Sequence, residues 1–140
     1  MIRGRIRRGR PYVDAVVLSA RLGVEGNVSF LIDTGSDLST IQPRDAIRLG
    51  VDYSLDFVGS PKRSVGGVGG LASEFRESCA IFMPHVSGSW DRLPLEVGFA
   101  VPTAFNEDLP SLLGRDILSY YRLTFQQSAN LLVLQRLDEL

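Results

Sequence analysis

One run in this chain has the residue types and order for acid–base chemistry. Asp33-Thr34-Gly35-Ser36 follows the apolar segment Val28-Ser29-Phe30-Leu31-Ile32 without a break. A carboxylate at the end of a buried strand is held in one place, and Gly35 lets the backbone turn sharply and lets another chain come close. Thr34 adds a hydroxyl for a partner backbone. Such a carboxylate acts as a general base when ionised and as a general acid when protonated. Taken alone, the tripeptide is equally the sequence of a plain turn closed by an Asx-type hydrogen bond.

Other chemistries fare worse. With one His and one Cys, a single chain cannot build the common His/Cys zinc sites or a disulfide framework, and Ser-His-Asp and Cys-His readings are weakened. Cys79 lies among apolar residues of a strand and reads as a buried small hydrophobe. His85 follows Pro84 in a loop and reads as exposed. Asp14, Asp45, Asp91 and Asp116 read as solvated or capping residues rather than metal ligands. The glycine-rich stretch Val65-Gly66-Gly67-Val68-Gly69-Gly70 lacks the Lys-Ser/Thr of a phosphate loop, which argues against nucleotide binding. No metal and no organic cofactor are expected.

The elements that must position Asp33 are mostly strands. Residues 12–20 and 28–32 are apolar-rich segments separated by a Gly- and Asn-containing turn at 22–27. Strand character returns at 71–83 and 93–101. Residues 122–125 and 131–135 read as a hairpin around Gln126–Asn130. Pro43 to Leu49 predicts a short helix, with proline in its first turn and Gly50 at its C-terminal cap. A second short helix is expected over 116–121, after Leu112-Leu113-Gly114-Arg115. Loops fall at 84–91 and 102–110. The expectation is a single all-β, barrel-like domain over 1–140 with two short helices.

Charge divides the chain. Five of the fifteen basic residues are Arg3, Arg5, Arg7, Arg8 and Arg10, which leaves ten basic against sixteen acidic in the rest. An acidic body argues against nucleic-acid binding. Residues 1–10 read as a basic edge strand or tail, and a charge block of this kind is usually just solvated. The weaker alternative is a nucleic-acid-binding arm whose binding falls steeply with salt. Apolar runs such as Ala15-Val16-Val17-Leu18 are too short to span a bilayer, and Asp14 interrupts the stretch that a secretory signal would need. A cytoplasmic location without membrane insertion is the expectation.

Asp33-Thr34-Gly35, the stretch Val65-Gly66-Gly67-Val68-Gly69-Gly70-Leu71 and Leu112-Leu113-Gly114-Arg115-Asp116 follow one another in an order that resembles the retroviral-type, or retropepsin-like, aspartic proteases. In that family an apolar pair precedes Asp-Thr/Ser-Gly, a flap reads much like Ile-Gly-Gly-Ile-Gly-Gly-Phe, and an apolar-apolar-Gly element precedes a helix often beginning Gly-Arg-Asn/Asp. Arg10-Pro11-Tyr12-Val13 is similar to the family's Arg-Pro-Leu-Val. The resemblance runs from residue 10 to about 122. The longer C-terminal hairpin is more like cellular or bacterial members than viral ones, so the dimer-forming terminal sheet is expected to be built differently.

The resemblance implies a retropepsin-like barrel with a Gly-rich flap hairpin and one lobe per chain. The chemistry needs two carboxylates about 3 Å apart sharing one proton. Only one Asp-Thr-Gly is present, so a two-fold homodimer would supply the second Asp33. The implied activity is that of an aspartic endopeptidase acting on an extended polypeptide. The alternative is a catalytically silent domain of the same fold, used for dimerisation or peptide binding. By the same resemblance, Thr34 bonds across the dimer axis and Asp37 contacts substrate backbone. Arg115, after Gly114, pairs with Asp37, with Arg10 of the partner subunit as a further candidate. Val68 and its neighbours from Val65 to Gly70 form a lid. Ser36 stands near the outer oxygen of the catalytic carboxylate, where a donated hydrogen bond would lower the active pH window.

Overall fold

The computed structural model describes residues 1–67 and 70–140. Its strands, in chain order, begin with β1 (Ile2–Arg3), β2 (Arg5–Arg7), β3 (Arg10–Ser19), β4 (Val24–Ile32) and β5 (Thr40–Ile41). After helix α1 (Pro43–Leu49) come β6 (Arg63–Gly67), β7 (Gly70–Pro84), β8 (Trp90–Ala100) and β9 (Ser111–Leu113). Helix α2 (Arg115–Leu118) then leads to β10 (Tyr121–Gln126) and β11 (Leu131–Arg136). The fold is all-β with two short helices, as the patterning predicts.

Period-two alternation fixes which face of each strand turns inward. In β3, Val13, Ala15, Val17 and Ser19 are buried, and in β4 so are Val24, Val28, Phe30 and Ile32. The main sheet runs β2-β3-β4-β9-β5-β8-β7-β6. A further pairing of β3 with β7, Val16 opposite Phe82, closes it into a barrel. Phe30, Phe99, Ile81, Met83 and Leu113 fill the interior. Removing each of these side chains from water contributes roughly 1.5–3 kcal/mol before entropic costs. Phe57, from the irregular segment after α1, stacks flat on Phe75 with ring centroids 4.4 Å apart.

Helix α1 has the expected bounds. Gly50 ends it at φ 107°, a left-handed conformation that costs glycine little. Helix α2 is shorter than the expected 116–121, because Tyr121 already belongs to β10, where it pairs with Arg136 and donates its hydroxyl to Asp91 at 2.6 Å. Residues 1–10 form two short strands rather than a tail. Ile2, 1% exposed, pairs with Leu134 in a separate three-stranded sheet ordered β1-β11-β10. Among the described residues, no helix is long and apolar enough to cross a membrane.

Several polar residues correct the sequence reading. His85 is not exposed: its side chain is 6% accessible, and its Nε2 lies 2.9 Å from Asp91 Oδ1. Asp91 is therefore not solvated, since it also accepts the Tyr121 hydroxyl. Asp45 is buried under α1, where it accepts from Ser111 Oγ at 2.6 Å and Arg48 at 3.1 Å. In each case a partner distant in sequence makes burial tolerable for a group that would otherwise stay in water. Asp14 is half exposed and pairs with Arg5. Cys79 is buried as expected, and burial pushes its thiol up to about 12.

Candidate active site

Strands β4 and β9 run parallel, with Ile32 beside Leu113. At the end of this pair the Asp33 amide donates to the Leu113 carbonyl at 3.0 Å. The chain then leaves the sheet, loops through residues 34–39 and re-enters as β5, where Thr40 pairs with Leu112 on the other side of β9. Strand β9 is thus clasped between the two limbs of the loop that carries Asp33.

Hydrogen bonds hold the loop from both sides. Gly35 N donates to Asp33 Oδ1 at 3.0 Å, and Ser36 N donates to the Asp33 carbonyl at 3.2 Å. A Cβ on Gly35 would sit 3.3 Å from that same Oδ1, so the tight turn favours a residue without one. This is the Asx-type bond of a plain turn, but the turn is built into a larger clasp. Arg115 N donates to the Ser36 carbonyl at 2.9 Å, and Asp116 N to the Asp37 carbonyl at 3.1 Å. The Arg115 guanidinium gives Nη1 to the Thr34 carbonyl at 2.8 Å and Nη2 to the Asp37 carboxylate. One fork therefore pins both a backbone carbonyl and a side chain of the loop.

Beneath the loop lies a pair that the sequence reading missed. Ser39, fully buried, donates its hydroxyl to Asp116 Oδ1 at 2.6 Å and its amide to Oδ2 at 2.9 Å. The same Ser39 oxygen accepts the Gly114 amide at 2.9 Å. Asp116 is thus a buttress of the loop, not a solvated helix-start charge. The only signal in the sequence was its place in the first turn of a helix. Gly114 itself is required by space: a Cβ there would fall 2.7 Å from the Leu38 carbonyl carbon.

The structure brings Asp33, Thr34, Gly35, Ser36, Asp37, Gly114 and Arg115 together around this crossing. Asp33 is half-buried, while Thr34 and Asp37 are exposed. Apart from the Gly35 bond, the Asp33 carboxylate has no hydrogen-bond partner among the described residues, and neither does the Thr34 hydroxyl. Ser36 departs from expectation. Its hydroxyl donates to the Leu38 carbonyl at 2.7 Å, so its single proton does not reach the Asp33 carboxylate. A main-chain acceptor two residues on competes successfully for a serine at this kind of turn.

The glycine-rich stretch forms the expected hairpin as far as it is described. Gly66 pairs with Leu71 and Gly67 with Gly70. Val65 and Gly66 are exposed, while Val68 and Gly69 lie outside the described residues. The hairpin projects past the end of β8, since Glu74 is already opposite Ala100, the last residue of that strand. Its root touches the loop's exit. Buried Glu74 accepts the Thr40 hydroxyl at 3.3 Å and pairs with Arg76 at 3.2 Å. Gly98, beside Thr40, has no side chain to displace that carboxylate, and a Cβ there would overlap it.

No protein-family model matches the sequence, and no curated protein matches it. Among solved structures, the chain is similar to the crystal structure of a retropepsin-like aspartic protease from Rickettsia conorii. The two are 19% identical with a TM-score of 0.60, over 94% of this chain and 95% of that one.

Proposed function

With a retropepsin-like fold as the premise, we propose that this chain is an aspartic endopeptidase that works as a two-fold homodimer. The observation that carries the reading is the clasped loop: a half-buried Asp33 carboxylate at a strand end, oriented by Gly35 N and with no ionic partner among the described residues. One chain holds half of the required pair. A two-fold axis beside the loop brings up the partner subunit's Asp33, and the exposed Thr34 hydroxyl is available to bond across that axis.

The two carboxylates share one proton, because two such charges about 3 Å apart cannot both ionise. The ionised one takes a proton from water as the water oxygen attacks the peptide carbonyl carbon. The protonated one gives its proton to the carbonyl oxygen, and a tetrahedral diol forms. The C–N bond then breaks as a proton passes to the departing nitrogen, leaving a carboxylic acid and an amine. Asp37, oriented by Arg115, contacts the backbone of an extended substrate, and the hairpin from Val65 to Gly70 closes over it. The location consistent with this reading is the cytoplasm.

The test is a complex peptide library offered at several pH values to the protein and to Asp33→Asn. The substitution is nearly isosteric and cannot act as a base, so cleavage should vanish while a folded dimer persists. Undiminished turnover would remove Asp33 from the mechanism. Sedimentation of the active species as a monomer would remove the dimer.

A further inference from the structure

We propose that the outer edge of β2 is a docking site for an extended polypeptide segment with carboxylates at alternate positions, which adds to the sheet as a strand. This surface lies outside the Asp33 loop, and the inference does not depend on the proteolytic reading.

Residues 2–7 form a nearly continuous strand that is shared between two sheets. Its first half pairs with β11, Ile2 opposite Leu134 and Arg3 opposite Val133, and Gly4 N still donates to the Leu132 carbonyl at 2.9 Å. Its second half pairs with β3. Beyond Leu132 the two sheets part, and β2 becomes the edge of the eight-stranded one. Hydrogen-bonded and non-bonded pairs alternate along an antiparallel ladder. Pro11, which has no N–H, sits opposite Ile6. Ile6 is therefore in a non-bonded pair, and its own N–H and carbonyl point away from β3, into the gap where the sheets diverge. That gap is a groove of about 480 Å³ lined by Arg3, Arg5, Ile6, Arg7, Leu131 and Leu132.

The side chains set the occupant's chemistry. Arg3, Arg5 and Arg7 occupy alternate positions on one face, roughly 7 Å apart, which is the spacing of alternate residues on a docked strand. Arg5 is held by Asp14 at 2.8 Å and Ser29 at 3.2 Å. Arg7 lies over the Tyr12 ring, 4.6 Å from its centroid. Arg3 and Arg7 have no ion pair among the described residues. The row repels a second copy of itself laid edge to edge, and it attracts an acid-x-acid strand. The tight turn that presents β2 is also unusual. Arg8 and Gly9 both have positive φ, 50° and 76°, and the first of these positions normally favours Asn, Asp or Gly. A further cation is thus fixed at the hairpin tip in a backbone conformation that its side chain does not favour. An open backbone pair and a row matched to strand spacing favour a polypeptide over a nucleic acid, as does the acidic remainder of the chain.

The experiment uses the Asp33→Asn protein, so that no probe is cut, and fluorescence anisotropy with labelled acetyl-Val-Glu-Val-Glu-Val-amide. Saturable binding that weakens with added salt is expected. The Gln-for-Glu peptide should bind about tenfold more weakly, as should a peptide N-methylated on its central Val, which cannot donate to the Ile6 carbonyl. Arg3→Gln with Arg7→Gln should cost a similar factor with unchanged circular dichroism. Absence of saturable binding, or equal binding of the Glu and Gln peptides, overturns the proposal. So does tighter binding of a short oligothymidylate. If the double variant fails to fold, the Gln and N-methyl peptides on the parent protein decide the matter.

Discussion

Ser39 holds Asp116 by two bonds at once, its hydroxyl on Oδ1 at 2.6 Å and its amide on Oδ2 at 2.9 Å. This contact fastens the return limb of the Asp33 loop to the start of α2. Through the Ser39 oxygen it also anchors the Gly114 amide. Replacing Ser39 by Ala leaves a carboxylate oxygen and a buried amide short of a partner. The expected loss of stability is about 1–3 kcal/mol, read from urea unfolding. Peptide cleavage should fall as well, because the loop loses its fixed return. A variant as stable and as active as the parent would show that this contact does not hold the loop.

Arg115 serves the loop from the outside, and its role is geometric more than electrostatic. Its side chain and that of Asp37 are 53% and 81% exposed, so the ion pair itself adds little to stability. Arg115→Lys keeps the charge but loses the fork that reaches the Thr34 carbonyl and Asp37 together. The expected result is a fall in kcat/KM of about tenfold or more, with the melting temperature nearly unchanged. Parallel loss of activity and stability would mean that the fork supports the fold as a whole.

Ser36 gives its proton to the Leu38 carbonyl, so it does not stabilise the charged form of Asp33 by a donated bond. Ser36→Ala should leave both limbs of the kcat/KM profile against pH in place, within about 0.3 unit, which corresponds to only a few tenths of a kcal/mol. A shift of the acid limb upward by about one unit would show that the hydroxyl turns to the carboxylate in the working enzyme.

Cys79 makes a prediction at the alkaline end. Burial first, and then the nearby Glu77 charge, push its thiol from 9.0 up to about 12. Between those values the folded chain holds a proton that the unfolded chain has released, so stability must fall as pH rises above about 9. Burial raises the Tyr53 and Tyr121 hydroxyls in the same sense, which steepens the decline above pH 10. Urea midpoints measured from pH 8 upward should drop less steeply for Cys79→Ala than for the parent. Identical slopes would mean that the thiol ionises freely in the folded state.

Local patterning was enough to read the strands that bear Asp33, helix α1 to its bounds, and the order of Asp33-Thr34-Gly35, the glycine-rich hairpin and Leu112-Leu113-Gly114. Those features depend on neighbours in the chain: alternation of buried side chains, a proline that starts a helix, a glycine that ends one. Position alone could not reveal what Ser39, Asp116, Asp45, Asp91 and His85 do. A polar side chain looks solvated until the fold supplies a partner from elsewhere in the chain, as it supplies Ser111 to Asp45 and Asp91 to His85. Ser36 shows the converse, since the motif suggested the Asp33 carboxylate as acceptor for its hydroxyl and the path of the loop supplied the Leu38 carbonyl instead. Burial of a charge and the choice between competing acceptors are set by what packs against a residue in space, and this chain settles both only when β9 is clasped and the barrel closes.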